Sequence, residues 1–261
     1  MNLDHGTVVV RERAFFEVYD LAIALARRHA GAIALLGLIG CAPWALLNWW
    51  LLSGGDGESI FWAFVLMAAQ APIATAPVTA FLGAAMFEHA PRPWPALIAA
   101  YRRLPALATL AVLRGLAALT VIGLPFTPAH LVESLMLERQ RLWSAWGRAW
   151  ALFGSWVGEH LGHTLVAGVV VAIVLAISLI SGALVANLAL GWSPDDDEVE
   201  LLLLPGRNPL LLITPWAVIV WLTVVRFLAY IDLRTRREGW DIEIELRRAG
   251  RRLGGPAGAA S

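Results

Sequence analysis

The sequence predicts an all-α protein: a polytopic transmembrane helical bundle of about six membrane segments, the fourth short or re-entrant, with amphipathic helices in the interface. Three observations carry this reading. The chain is 59% hydrophobic and 15% charged, whereas a soluble domain is about 45–50% apolar and about 25% charged. The apolar excess gathers in long runs, each near the ~20 residues that a helix needs to cross a hydrocarbon core of about 30 Å. The arginines cluster at the ends of those runs rather than inside them. Equal numbers of basic and acidic residues, 20 of each, leave no basic excess for nucleic acid. Every basic residue is Arg, which fits GC-rich coding beside so much Ala and Gly. Cys41 is the only cysteine, which excludes an intrachain disulfide and a cysteine-based metal site. Residues 1–28 carry charges throughout, so no cleavable signal peptide is expected.

Residues 8–28 do not span. Phe15, Phe16, Tyr19, Ile23 and Ala26 recur at helical spacing, with Val18, Leu21, Ala22 and Leu25 beside them. Arg11, Glu12, Arg13, Glu17 and Asp20 occupy much of the remainder. The pattern is that of an amphipathic helix lying in the interface; the plainer alternative is the first turns of span 1 reaching into water. Span 1 covers roughly Ala30 to Leu52, interrupted by Pro43 and Asn48, with Trp44, Trp49 and Trp50 at its far end as an aromatic belt. After an acidic turn, Ser53 to Ser59, span 2 runs from Ile60 to Phe87, long enough to tilt or kink. Pro72 and Pro77 supply the kink, and Gln70, Thr75 and Thr79 are placed to cover the backbone groups that the prolines free.

A Pro-rich turn and a short amphipathic helix ending in Arg102 and Arg103 lead into span 3 at Leu104, which carries Arg114 deep inside. Gly123, Pro125 and Pro128 then break the helix, and an apolar stretch runs on to Glu138. From Pro125 to Glu138 a helix covers only about 20 Å, a half-span. Residues 139–160 are Trp-rich, basic and amphipathic. A long apolar span from His163 to Leu190, an acidic loop from Asp195 to Glu200, and a last span from Asn208 to Ile231 complete the membrane part.

A reversal at Pro125–Pro128 puts Arg11, Arg13, Arg27, Arg28, Arg92, Arg102, Arg103, Arg139, Arg141, Arg148 and the C-terminal arginines on one side. Only Arg207 lies opposite, with Arg114 and Arg226 in or at the edge of the membrane. The positive-inside rule then places both termini in the cytoplasm and the acidic loops, Asp56/Glu58 and Asp195 to Glu200, outside. The chain divides into an N-terminal amphipathic helix (1–28), a transmembrane bundle (29–231) and a charged cytoplasmic tail (232–261), disordered at its extreme end.

A central Arg costs at least about 2.5–3.5 kcal/mol on insertion scales, so Arg114 needs a partner. A hairpin centred on Pro125 sets Arg114 opposite residue 136, between Glu133 and Glu138. An intramembrane pair of Arg114 with Glu133 or Glu138 is therefore expected, either as a structural pin or as part of a polar path. His160 and His163 share a helix face beside Glu159, but there is no HExxH order and no third ligand, so interfacial residues at the start of a span are the plainer reading. Asp195–Asp197 reads as a solvated loop. There is no Walker-type phosphate loop or nucleophile elbow, and Gly154–Gly158 has the wrong spacing for the latter. Gly31, Gly37, Gly40, Gly83, Gly115, Gly123, Gly168 and Gly182 allow close helix packing. No cofactor and no enzymatic activity are expected.

The stretch from Arg226 to Arg248 passes from span to charged tail without a linker. Arg226 is placed to snorkel toward phosphates. Asp232 with Arg236, Arg234 with Glu238, and Arg237 with Asp241 are i,i+4 pairs that carry the helix out of the membrane, with Gly239 as its expected end. The tail is expected to clasp the N-terminal helix, with Glu17 and Asp20 facing Arg234, Arg236 or Arg237. The run from Tyr230 to Asp241, the Arg11–Tyr19 segment before an Arg pair, and Glu133 to Arg139 together resemble a broad group of uncharacterised bacterial polytopic proteins. That group is similar to the membrane domain preceding some glycerophosphodiester phosphodiesterases. The resemblance implies six membrane helices with interfacial helices between them, and no established activity, since the catalytic domain is absent. Its members are often encoded near other membrane proteins, which points to an accessory role.

The expected function is that of a non-enzymatic scaffold or accessory subunit of a bacterial membrane complex. Its partners would be the lipid bilayer, anionic lipid at the cytoplasmic rim, and a possible membrane-protein partner, with no nucleic acid. A transporter or channel using Arg114, Glu133 and Glu138 is the alternative, and a membrane enzyme on lipid or cell-wall substrates the third.

Overall fold

The structure, a computed structural model, describes residues 15–54, 59–86, 88, 90–120, 123, 127, 130–138, 142–153, 157–190, 208 and 210–238. Among them the ordered elements are all helices: α1 (Phe15–Arg28), α2 (Ala30–Leu52), α3 (Ser59–Ala85), α4 (Pro93–Tyr101), α5 (Leu104–Leu119), α6 (Leu131–Leu137), α7 (Leu142–Phe153), α8 (Val157–Leu190) and α9 (Leu210–Glu238). α2, α3, α8 and α9 are each long and apolar enough to cross a membrane. α4 and α5, bent by 70° at Arg102–Arg103, make a fifth crossing if the pair is one broken span. The chain is thus a membrane-embedded all-α bundle.

α3 is the central helix, touching α2, α4, α5, α6 and α9. Its most apolar stretch is 67% buried, against 6% in α8. Small side chains make this possible: Ala71, Ala74, Thr75, Ala76, Val78 and Thr79 are all buried, so neighbouring backbones come close. The closest approach is at Gly40 of α2, where an added Cβ would overlap the carbonyl oxygen of Ala74. One turn earlier, a Cβ at Gly37 would stand 3.1 Å from Val220, which fixes α9 on the other flank of α2. Gly31 and Gly168 meet nothing, so only some of the glycines serve helix contact.

Pro72 and Pro77 remove the N–H groups that would bond the carbonyls of residues 68 and 73. The side chains expected to compensate do something else. Thr75 Oγ1 donates to the Ala71 carbonyl at 2.8 Å and Thr79 Oγ1 to that of Thr75 at 3.3 Å. Gln70 is taken up by Asn48 of α2 in a reciprocal amide pair, at 2.7 and 2.9 Å. Both amides are buried and each satisfies the other, so α2 and α3 are tied in their apolar halves at no cost in orphaned groups.

α1 is amphipathic, as expected, and its inward face is centred on Val18, Ala22 and Leu25, with Tyr19 and Ala26 partly buried beside them. Val18, Ala22 and Leu25 (spacing i, i+4, i+7) are buried against Phe227, Leu228 and Ile231 of α9, whereas Phe16 and Ile23 are exposed. His29 separates α1 from α2 and stacks edge-on against Phe81.

α5 has 16 residues, about 24 Å of helix, and ends at Thr120, whose Oγ1 donates to the Ala117 carbonyl and accepts from the N–H of Gly123. α6 has only 7 residues, about 10 Å, which is less than the half-span expected. Every residue from Leu131 to Met136 is nevertheless buried, under Ala76 of α3, Leu107 and Leu110 of α5, and Ala145 and Ala149 of α7. α9 begins beside Asn208, whose Oδ1 accepts from the N–H of Leu210 at 3.1 Å, satisfying a donor of the helix's first turn. It then runs unbroken through residue 232, where the sequence suggests a boundary between bundle and tail, to Glu238.

Candidate functional site: a buried ionic group between α6 and α9

Arg226, Tyr230 and Arg234 follow one another at i, i+4 and i+8, so they form one stripe along α9. Two carboxylates from α6 and its C-terminal end meet that stripe. Arg226 Nε donates to Glu133 Oε1 at 2.6 Å, with Glu133 fully buried and the Arg226 side chain 21% exposed. The hydroxyl of Tyr230 donates to Glu138 Oε1. A terminal nitrogen of Arg234 lies 3.6 Å from the same oxygen, and Arg148 Nε of α7 lies 3.1 Å from Glu138 Oε2. Glu138 therefore gathers α7 and α9 around the end of α6. The ring of Tyr230 also meets that of His130, 5.7 Å away. A helix of seven residues cannot hold itself in an apolar bundle by backbone bonds alone. These charged contacts and its buried leucines hold it there.

Arg114 belongs to the same neighbourhood but is hydrogen-bonded to neither carboxylate. Its guanidinium feels the opposite charge of Glu133 and the like charge of Arg226. It makes no hydrogen bond or ion pair among the described residues, and its Nε is buried without a partner. The expected pairing of Arg114 with Glu133 or Glu138 is thus corrected: Glu133 takes Arg226, and Glu138 takes Tyr230, Arg148 and Arg234. The turn itself is symmetric, with Leu119 and Leu131 equally far from Pro125; what counting about Pro125 leaves out is α9, which passes α6 and brings Arg226 to Glu133, and Tyr230 and Arg234 to Glu138. The expected snorkelling of Arg226 toward phosphates is corrected with it, since its Nε turns inward to Glu133.

In the tail motif, Asp232 is 6% exposed and Arg234 turns toward Glu138. The side chains of Arg236, Arg237 and Glu238, and all of Asp241, lie outside the described residues, as do Asp56, Glu58, Asp195 to Glu200 and the charges before Phe15. α1 and α9 do lie side by side. Asp20 is exposed, and ion pairs of Glu17 or Asp20 with Arg236 or Arg237 fall beyond the described side chains. A contact that sequence reasoning missed ties α1 to α8: the hydroxyl of Tyr19 and Nδ1 of His163 are 2.9 Å apart. Burial raises the Tyr19 hydroxyl above its ordinary range. His163, considered above with Glu159 and His160 as a metal ligand, is engaged in this bond; the side chains of the other two are not described. Among the described residues no group of three or more His, Cys, Asp or Glu could hold a metal ion.

The group can pin α6 to α9 and α7, and it concentrates positive charge inside the bundle. It brings no nucleophile and base together in a catalytic geometry among the described residues. The sequence marks Asn48 and Gln70 singly but neither their pairing nor the contact of Arg148 with Glu138, because each partner sits on a different helix at a register that only the packed bundle fixes. Compared with known proteins, the chain matches no family model, no curated protein and no solved structure.

Proposed function

We propose that this chain is a non-enzymatic integral protein of a bacterial cytoplasmic membrane, with both termini in the cytoplasm, acting as a scaffold or accessory subunit of a membrane complex. Anionic lipid at the cytoplasmic rim would be attracted by its arginines, each contributing about 1 kcal/mol near the surface. The observation that carries the reading is α8. It is 34 residues long, only 6% of its most apolar stretch is buried, and among the other helices it packs chiefly on α9. Leu165, Val169, Ile173 and Ile177, each at least half exposed, form an i±4 ridge along it, and Gly158 and Gly168 meet nothing within 4 Å. Such a ridge with small residues beside it suits the groove of another protein's transmembrane helix.

The test is a photo-crosslinking residue at Ile173 or Ile177, activated in native membranes, with Leu46 on α2 as control. A discrete protein adduct from α8 and none from α2 supports the reading; lipid adducts alone from all three positions contradict it. A second reading, transport of a charged solute, draws on Arg114, Glu133 and Arg226 inside the bundle. Solute uptake by proteoliposomes that disappears in Glu133→Gln would favour it over the scaffold.

A further inference from the structure

Arg114, Glu133 and Arg226 leave their charges unbalanced. Two guanidinium groups, charged at any working pH, share a single carboxylate. Glu133 Oε1 is taken by Arg226 Nε. What remains is the Arg114 Nε, the Arg226 Nη2 and the Glu133 Oε2, all buried and all without a hydrogen-bond partner. A buried charge without a counter-charge is among the most costly features a fold can carry, and interior arginines are paired as a rule. Position adds to the argument. Arg114 stands ten residues into α5, about 15 Å along the helix, with its neighbour Gly115 pressed to Ala69 of α3, where an added Cβ would be 3.1 Å from that methyl. Among the described residues, Glu133 is the carboxylate that bears on it. The side chain of Arg226 is 21% exposed, which leaves the group open on one side.

We propose that Arg114 and Arg226 together bind one singly charged oxyanion, a phosphodiester or a carboxylate, beside Glu133. Two guanidinium forks present the donor geometry that such oxyanions take. A single negative charge neutralises the group; a doubly charged anion would leave it negative beside the Glu133 carboxylate. The occupant is either the phosphodiester of a lipid headgroup drawn into the bundle or a free anion from water. The inference goes beyond the accessory role and does not depend on whether α8 meets a partner.

The experiment uses the full chain, stripped of lipid in an uncharged detergent and a chloride-only buffer. Thermal unfolding is followed with a short-chain phosphatidylglycerol in one arm, dimethyl phosphate or acetate in the other, and an uncharged monoacylglycerol as control. Saturable stabilisation of about 5–10 °C at a hundredfold excess over the dissociation constant is expected in one arm and not in the control. A response to the lipid alone assigns the headgroup; a response to the soluble anions assigns a free anion. Arg114→Met should abolish the response and should be no less stable than the unmodified chain when no anion is present, because it removes a charge that lacks a counter-charge. No response in either arm means that water alone fills the group and overturns the inference. So does a response that Arg114→Met leaves intact. Should that variant fail to accumulate, the two arms on the unmodified chain still decide.

Discussion

Arg226→Met, made in an Arg114→Met chain so that no second guanidinium stands beside Glu133, tests the ionic group most sharply, because it leaves the fully buried Glu133 carboxylate without the Nε at 2.6 Å. Breaking a buried pair from one side costs about 3–5 kcal/mol, since the remaining charge is both dehydrated and unpaired. Glu133→Gln should cost less, about 1–3 kcal/mol, because its orphan is different in kind: the Arg226 side chain is 21% exposed and can turn toward water or headgroups. Replacing both with apolar residues of similar volume, Glu133→Met with Arg226→Met, in the same Arg114→Met chain so that no guanidinium is left without a counter-charge, should return to within about 1 kcal/mol of that chain. At about 2–4 °C per kcal/mol for a chain of this size, the single Arg226→Met lowers Tm by about 6–20 °C and the double variant largely restores it. Cys41 is the only thiol and is 5% exposed, so a thiol-reactive fluorophore reports unfolding in detergent without further labelling. Losses that simply add, with a coupling below about 0.5 kcal/mol, would show that the contact does not hold α6 to α9.

Three further outcomes follow from the packing. Gly40→Ala should strongly reduce membrane accumulation, because its Cβ meets the backbone carbonyl of Ala74, which cannot swing aside, while Gly168→Ala, with open space, should be neutral by immunoblot. Asn48→Leu or Gln70→Leu alone should each cost about 1–3 kcal/mol by orphaning a buried amide, whereas the double change is close to neutral; thermal unfolding of the three variants decides. Burial, and secondarily the charge of Arg28, lowers the proton affinity of the His29 ring below its ordinary 6.5. The unfolded chain therefore binds a proton that the folded chain resists, so this contribution to stability is full above about pH 6.5 and is lost as pH falls below it. Tm should drop between pH 7.5 and 5.5, and His29→Phe should flatten the drop; an unchanged slope in the variant would assign the acid sensitivity elsewhere.

The long helices were legible because a bilayer imposes a length and a composition that the chain cannot avoid. α2, α3, α8 and α9 each fall on an apolar run, and the break before α5 falls at Arg102–Arg103. What the sequence could not convey is rotation and register. The inward face of α1 is centred on Val18, Ala22 and Leu25, which lie against α9, while Phe16 is left outside. Sequence spacing placed Glu133, Glu138 and Arg114 in one neighbourhood. It could not choose the partner of Glu133, because that choice depends on where α9 crosses a seven-residue helix. Arg226 reads as a boundary residue by its position near the tail, yet its side chain points inward. The sequence marks Arg114 as needing a partner, yet among the described residues the carboxylate beside it is taken by Arg226.

The central claim is that the short helix α6 is inserted into the bundle against α3 and α9. It can be tested by a disulfide between positions 83 and 137 in a Cys41→Ala chain. A Cβ at Gly83 would stand 3.8 Å from Leu137 Cγ, the place a cysteine sulfur would take, so the two thiols come within reach of each other. With a protease site placed between Glu88 and Arg92, mild oxidation of native membranes carrying Gly83→Cys and Leu137→Cys should keep the two cleaved halves together until reductant is added. Halves that separate without reductant, while Leu137→Cys instead cross-links to Gly54→Cys at the far end of α2, would place α6 at the opposite end of the bundle and contradict the structure of the site.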